Sequence, residues 1–338
     1  MSASASTTIS QELIPLSEPE RWRAALMNVP HAFGHTWENC QAMHLTTGHP
    51  TNLYLWQRGE AKVVCPLAER LFLGATDVVT PYGFSGFVGT APLPDFMDDW
   101  HRFAAQTGYV CGYIGLNPVL SNGLVLCRTE AFTSSRLYVM DLQLSVQALY
   151  QQLSQNRKRQ LKGFAERQHL YAVEQEALKH FFMAQYHTFF SQKNAASTYN
   201  FSLPTLAYLL SIDEVVLVGY AEANEVKAVA VFAYTDYMGE YLFSVSLPGH
   251  EHHTTPLLWY GALQLKEKQV RYLNLGGGAK PGDSIAAFKQ RFGALDLPLT
   301  ALKQVYQQEQ YVALCEQAGV DPAAKQGYFP PYLRAART

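Results

Sequence analysis

Residues 215–247 read VVLVGYAEANEVKAVAVFAYTDYMGEYLFSVSL. Three runs rich in β-branched and aromatic residues are joined by polar turns too short to hold a crossover helix, so the pattern predicts an antiparallel meander. Its surroundings fix the class. Before it come a strand and helices around 178–192 and 204–211. After it come TPLLWYGALQLKEKQ (255–269) at helical spacing, the strand-like VRYLNL (270–275) and a helix beyond the glycines at 276–278. Strand, helices, three antiparallel strands, helix, strand, helix is not the alternation of a doubly wound parallel sheet. The expected fold class is α+β, with mostly antiparallel central sheets and flanking helices.

Towards the N-terminus, SVQALYQQLSQNRKRQLKGFAERQHL (145–170) reads as one long helix with Leu149, Leu153 and Leu161 on a single stripe. Upstream, NLYLWQRGEAKVVCPLAER (52–70) predicts a hairpin folded at Arg58-Gly59-Glu60, and TPYGFSGFVGTAPLP (80–94) a loop. PDFMDDWHRFAAQTG (94–108) reads as a helix stopping at Gly108, between hairpin and the strands YVCGYIGL (109–116) and RLYVMDLQL (136–144). Two short helices and a polar leader come first. The first half is thus a truncated version of the order seen in the second. Domains are expected at 1–144 and 145–319.

The 338 residues suffice for two domains, and 48% hydrophobic against 16% charged residues gives material for sizeable cores. A formal net charge of −2 argues against a chain built to coat nucleic acid, and DNA is not an expected partner. Five cysteines (Cys40, Cys65, Cys111, Cys127, Cys315) are scattered without CxxC spacing, which fits reduced thiols in a cytoplasmic protein. MSASASTTIS has no secretory pattern, and no apolar run reaches membrane-spanning length.

The glycines open the question of chemistry. In YLNLGGGAKPGDSIAAFKQRFGA (272–294), strand, glycines and helix follow one another as in phosphate-binding loops. Asp283 stands where a Walker A lysine belongs, and Pro281 where the third Rossmann glycine belongs. Both nucleotide loops are excluded. Asp283 suits a helix N-cap instead, placing Phe288 and Phe292 one turn apart with Lys289 beside them.

The block from Leu273 to Gly293, a glycine cluster, a spacer, an acidic residue, then Phe-Lys and Phe, resembles the C-terminal signature of FemAB-type transferases and related polysaccharide-cluster proteins of the GNAT superfamily. Other pieces fall in that family's order: CPLAER (65–70), TPYGFSG (80–86), YIGLNPVL (113–120), the basic helix from Asp141, and YHTFFSQKNAASTYNFS (186–202). The resemblance implies two tandem GNAT-like domains, a tail (about 320–338) packed back on the first, and an acyltransferase without a covalent enzyme intermediate. It implies that Lys289 steadies the oxyanion of acyl transfer. Substrate-binding positions carried over with it are Tyr82, Gly83, Ser85, Tyr199, Asn274, Gly276, Gly277, Gly278 and Phe288. The peptidoglycan-building members carry a helical arm or a basic residue after the early tryptophan. Here no such insertion exists, and Gln41 stands four after Trp37.

Arg157, Arg159 and Lys162 form a cationic stretch suited to phosphate, with Arg159 and Lys162 on one face of the expected helix. Glu240 is the candidate general base, with Tyr199 and Tyr241 as further candidates. His250, His252 and His253 lack the spacing that fixes a metal, and no metal is expected. The expected function is acyl transfer onto the amine of an amino sugar or envelope-polysaccharide precursor, with acyl-CoA as donor and no tightly bound cofactor. Two alternatives stand beside it: aminoacyl transfer from tRNA to a cell-wall peptide, and a non-catalytic nucleotide-sugar-binding module.

Overall fold

ISQELIP (Ile9–Pro15) forms strand β1, pairing antiparallel from Ile9↔Arg58 to Pro15↔Asn52 with β2 (Thr51–Arg58). Residues 9–15 of the polar leader are therefore an edge strand in this computed structural model. Its Ser10, Gln11 and Glu12 are what a solvent-facing edge tolerates and what hides it from a hydrophobicity pattern. The structure describes residues 8–93, 95–121, 130–193, 196–278, 282–324 and 327–335. Cys127, Pro281, Gln326 and the tail residues 336–338 lie outside these. Two compact units make up the chain, one of residues 1–134 with 299–338, the other of residues 135–298.

In the first unit α1 (Pro19–Leu26) and α2 (Trp37–Thr47) separate β1 from β2. Thr36 caps α2 by accepting the Asn39 N–H, and Gly48 ends it in the left-handed conformation. β3 (Ala61–Phe72) returns along β2, and β4 (Ala75–Val79) along β3 through a turn where Leu73 and Gly74 both have positive φ. The two-residue β5 (Val88–Gly89) also pairs with β3. α3 (Phe96–Thr107) stops at Gly108, and β6 (Tyr109–Gly115) lies parallel to β4. Residues 301–305 take the other side of β6, antiparallel. With β1 and β4 in place, the described residues of the first unit carry the order strand, helices, three antiparallel strands, helix, strand. The expected truncation is corrected to that extent: ATDVV is too short to stand out beside the hairpin before it.

The second unit begins within β7 (Ala131–Asp141). The expected long helix is broken into α4 (Val146–Gln152), α5 (Gln155–Gln160) and α6 (Phe164–Arg167). Leu153 is extended, Ser154 accepts the Arg157 N–H to start α5 afresh, and Gly163 is left-handed (φ 68°). Leu149, Leu153 and Leu161 are buried all the same. Then come α7 (Gln175–Gln192), α8 (Leu203–Leu209) and the meander of β8 (Val215–Glu222), β9 (Glu225–Tyr234) and β10 (Met238–Ser246). Ala223 and Asn224, both at positive φ, make the tight turn between β8 and β9. α9 (Thr254–Glu267) is buried from Thr255 to Ala262, so close to β9 that a Cβ on Gly261 would sit 2.2 Å from the Phe232 ring. β11 (Tyr272–Asn274) runs parallel to β10 and antiparallel to β7, giving the order β7-β11-β10-β9-β8.

After α10 (Ser284–Gln290), β12 (Leu295–Val305), α11 (Gln308–Gln317) and α12 (Tyr332–Ala335) return to the first unit. Phe329 and Tyr332 are buried there with Cys111, Tyr311 and Leu314. Each unit holds a mostly antiparallel sheet with flanking helices, so the fold class is α+β. Cys40, Cys65, Cys111 and Cys315 are free thiols, all buried. Among the described residues no helix is long and apolar enough to cross a membrane.

Candidate active site where the parallel strands part

β10 and β11 pair only from Met238↔Tyr272 to Glu240↔Asn274. β10 runs on to Ser246, and a bulge between Tyr241 and Phe243 shifts its register against β9. β11 instead follows β7, through Leu275 N–H to Tyr138 O (2.8 Å) and Tyr138 N–H to Gly276 O (3.2 Å). The two strands therefore part just beyond Glu240 and Asn274, side by side in register, 2% and 1% exposed.

The glycines that follow answer to geometry. Gly276 has φ 78°, a conformation other residues adopt rarely. A Cβ on Gly277 would lie 2.7 Å from the Arg136 carbonyl oxygen, so only glycine lets the chain hug β7. Gly278 is half-buried. Asn274 Oδ1 accepts the Gly276 N–H at 2.7 Å and holds this turn from below.

α10 starts where Asp283 Oδ1 accepts the Ala286 N–H at 2.7 Å, the cap read from the sequence. Phe288 and Phe292 meet one turn apart, ring centroids 5.3 Å. Lys289 turns back over the glycines: its Nζ donates to Gly277 O at 2.6 Å and stands 3.0 Å from where a Gly276 Cβ would be. Burial lowers its pKa to about 8, with the Asp283 carboxylate opposing the shift. Lys289, Asn274, Gly276, Gly277 and, by register, Glu240 are thus gathered around one turn.

The cationic stretch is divided. Arg157 faces inward, 4% exposed, its guanidinium 4.1 Å over Phe288 and 5.1 Å from Phe292. It donates to Gln160 Oε1 (2.6 Å) and Thr255 Oγ1 (2.9 Å), tying α5, α9 and α10 together. Burial, helped by Arg291, lowers its pKa to about 10. Arg159 and Lys162 are exposed, but α5 ends at Gln160 and Lys162 lies in the turn before Gly163. They do not share the continuous helical face expected from their spacing. Tyr199 sits in a short 3-10 turn, stacked on Phe190 at 5.6 Å, with its carbonyl accepting from Tyr186 (2.7 Å). Tyr241 packs on Phe232, and desolvation pushes its hydroxyl up to about 12.

Tyr82, Gly83 and Ser85 belong to the first unit, in the loop after β4. That loop is stitched down by its own unit. Asn39 donates to Tyr82 O (3.1 Å), Asn117 to Phe84 O (2.8 Å), and buried His35 bonds Gly86 O (3.1 Å) through Nε2. Ser85 is 1% exposed. The imidazoles of His250, His252 and His253 lie 4.1–6.2 Å apart with planes inclined 18–42°, and His253 stacks on Tyr220 at 3.5 Å. They offer each other faces rather than converging lone pairs. No metal-binding cluster occurs among the described residues.

Three contributors had no sequence signal: the β10 bulge, the Gln160–Thr255 contact that receives Arg157, and the pairing of Glu240 with Asn274. Each depends on register or on residues nearly a hundred apart.

No family model and no curated protein matches the sequence. Solved structures do. FemX superposes with a TM-score of 0.66 at 11% identity, over 90% of this chain and 99% of FemX. A conserved protein of unknown function from Bacteroides thetaiotaomicron VPI-5482 superposes at 0.57 and 10% identity, over 88% of this chain and 100% of its own. At such identities the likeness is one of fold: this chain has the fold of FemX.

Proposed function

We propose that the chain is a FemAB-like acyltransferase of the GNAT superfamily, with its reaction centre at the parting of β10 and β11. The observation that carries this is a largely desolvated lysine ammonium seated on the glycine turn, with a buried carboxylate and a buried amide on the strands beneath. Beyond Glu240, β10 has no β11 partner, which suits a donor with an extended amide arm such as acyl-CoA. The proposed acceptor is the amine of an amino sugar or envelope-polysaccharide precursor.

In this reading Glu240 takes a proton from the amine as nitrogen bonds to the acyl carbon. Lys289 faces the oxygen on which negative charge develops, and the thiolate leaves as the carbonyl re-forms. A fixed cation in a water-poor site lowers the barrier because it needs no reorganisation when the charge appears. A thermal-shift panel of acyl-CoAs, nucleotide-sugars and aminoacyl-tRNA identifies the donor class. With that donor, Lys289→Ala is expected to lose well over tenfold in turnover, each tenfold being about 1.4 kcal/mol of barrier. Turnover should also fall as pH rises through about 8, where Lys289 gives up its proton. Unchanged turnover in Lys289→Ala would falsify the assignment.

A further inference from the structure

We infer that Asn274 is a second working residue of this site: its Oδ1 sets the turn that seats Lys289, and its Nδ2 is a fixed donor kept for a substrate oxygen. The inference deepens the acyl-transfer reading and, for the donor half, rests on it.

The chain of contacts is short. Asn274 Oδ1 accepts from Gly276 N, Gly276 leads into Gly277, and Gly277 O accepts from Lys289 Nζ, at 2.7 and 2.6 Å. The Gly276 N–H also fixes which end of the amide is which, since only the oxygen can face a donor. Nδ2 therefore points the other way. Among the described residues it has no hydrogen-bond partner, although Asn274 is 1% exposed. A buried amide N–H left unpaired costs about 1–3 kcal/mol, so a protein keeps one where something else supplies the acceptor.

The first unit provides a contrast near the C-terminal end of the strand parallel to the third of its meander, two residues beyond β6. There Asn117 Nδ2 is spent on Phe84 O at 2.8 Å, and its Oδ1 accepts from Val119 and Leu120 N–H. Thr80 Oγ1 accepts from Gly115 N–H (3.0 Å), and a Cβ on Gly86 would lie 2.2 Å from Gly115 O. The chain's own backbone fills that space. At Asn274 the amide is left for a ligand. The chemical class it takes is a carbonyl or oxyanion oxygen, and the donor belongs to the residue that sets the turn seating Lys289 Nζ.

Two readouts need no substrate: amide hydrogen exchange at Gly276, and the Lys289 titration followed by NMR of the 13C-labelled side chain. In Asn274→Ala, Gly276 exchange is expected to speed up at least tenfold, and the Lys289 midpoint to rise towards an ordinary lysine as the loosened turn admits water. Asn274→Ser, whose hydroxyl can accept from the residue two on, is expected to restore both. Unchanged exchange, or a midpoint that stays put or falls, overturns the positioning role whatever the reaction proves to be. A crystal structure of the unliganded protein tests the donor. An Nδ2 within hydrogen-bond distance of a protein acceptor overturns it, and an Nδ2 facing water or nothing supports it. If positioning holds while no acyl donor is ever turned over, it is the acyl-transfer reading that fails.

Discussion

Lys289 carries a conflict between stability and function. Its ordinary pKa is 10.5 and burial brings it to about 8, so folding costs free energy whenever the lysine is charged. Between those two values the unfolded chain holds the proton that the folded chain has released, and stability at this site rises with pH. Lys289→Met removes the penalty. Its melting temperature at pH 7 is expected to equal or exceed that of the wild type, and the difference to shrink between pH 8 and 10. A wild type that weakens relative to the variant over that range would contradict the assigned burial. Residues that mark their role locally were legible in the sequence: Asp283 as a cap, Lys289 beside Phe288 and Phe292. Glu240 and Asn274 were legible one by one. Their adjacency was not, because strand register is set by the whole sheet.

The helical stretch from 145 to 170 shows what periodicity leaves out. Leu149, Leu153 and Leu161 all reach the core, yet Ser154 and Gly163 break the backbone twice, since an apolar stripe constrains a face and not the continuity of hydrogen bonds. The break changes the roles of the cations. Arg157 becomes an internal tie between α5, α9 and α10, while Arg159 stays in solvent. Arg157→Met should lower stability by about 2–4 kcal/mol through the lost ring contact and charged hydrogen bonds. Arg159→Ala should stay within about 0.5 kcal/mol. Urea unfolding of the two variants separates them, and equal losses would refute the division. If Arg159 and Lys162 bind phosphate, their loss will appear in substrate affinity alone.

At the scale of the whole chain, the meander and the elements after it were readable because each is long and periodic. β1 and β4 were missed, one polar along an edge and the other only five residues long. The residues after 298 were harder still to place, since pairing with β6 joins segments far apart in sequence. In the first unit Tyr332 is 1% exposed, stacked on Phe72 at 5.2 Å and close to the buried Arg70–Asp77 ion pair. Tyr332→Ala is expected to cost about 3 kcal/mol or more, read from equilibrium unfolding. A loss below about 1 kcal/mol would mean that the tail only decorates this unit.

The pairing of β6 with residues 301–305 also sets an order of events at the ribosome. β6 is synthesised ~190 residues before its antiparallel partner, and at about 5–20 residues per second the gap is on the order of 10–40 s. Throughout that interval one side of β6 is an open edge, the kind of template on which nascent chains associate wrongly. The second unit, contiguous in sequence, can complete its own sheet first. The native yield is therefore expected to depend on translation speed and chaperone supply as well as on the stability of the finished fold.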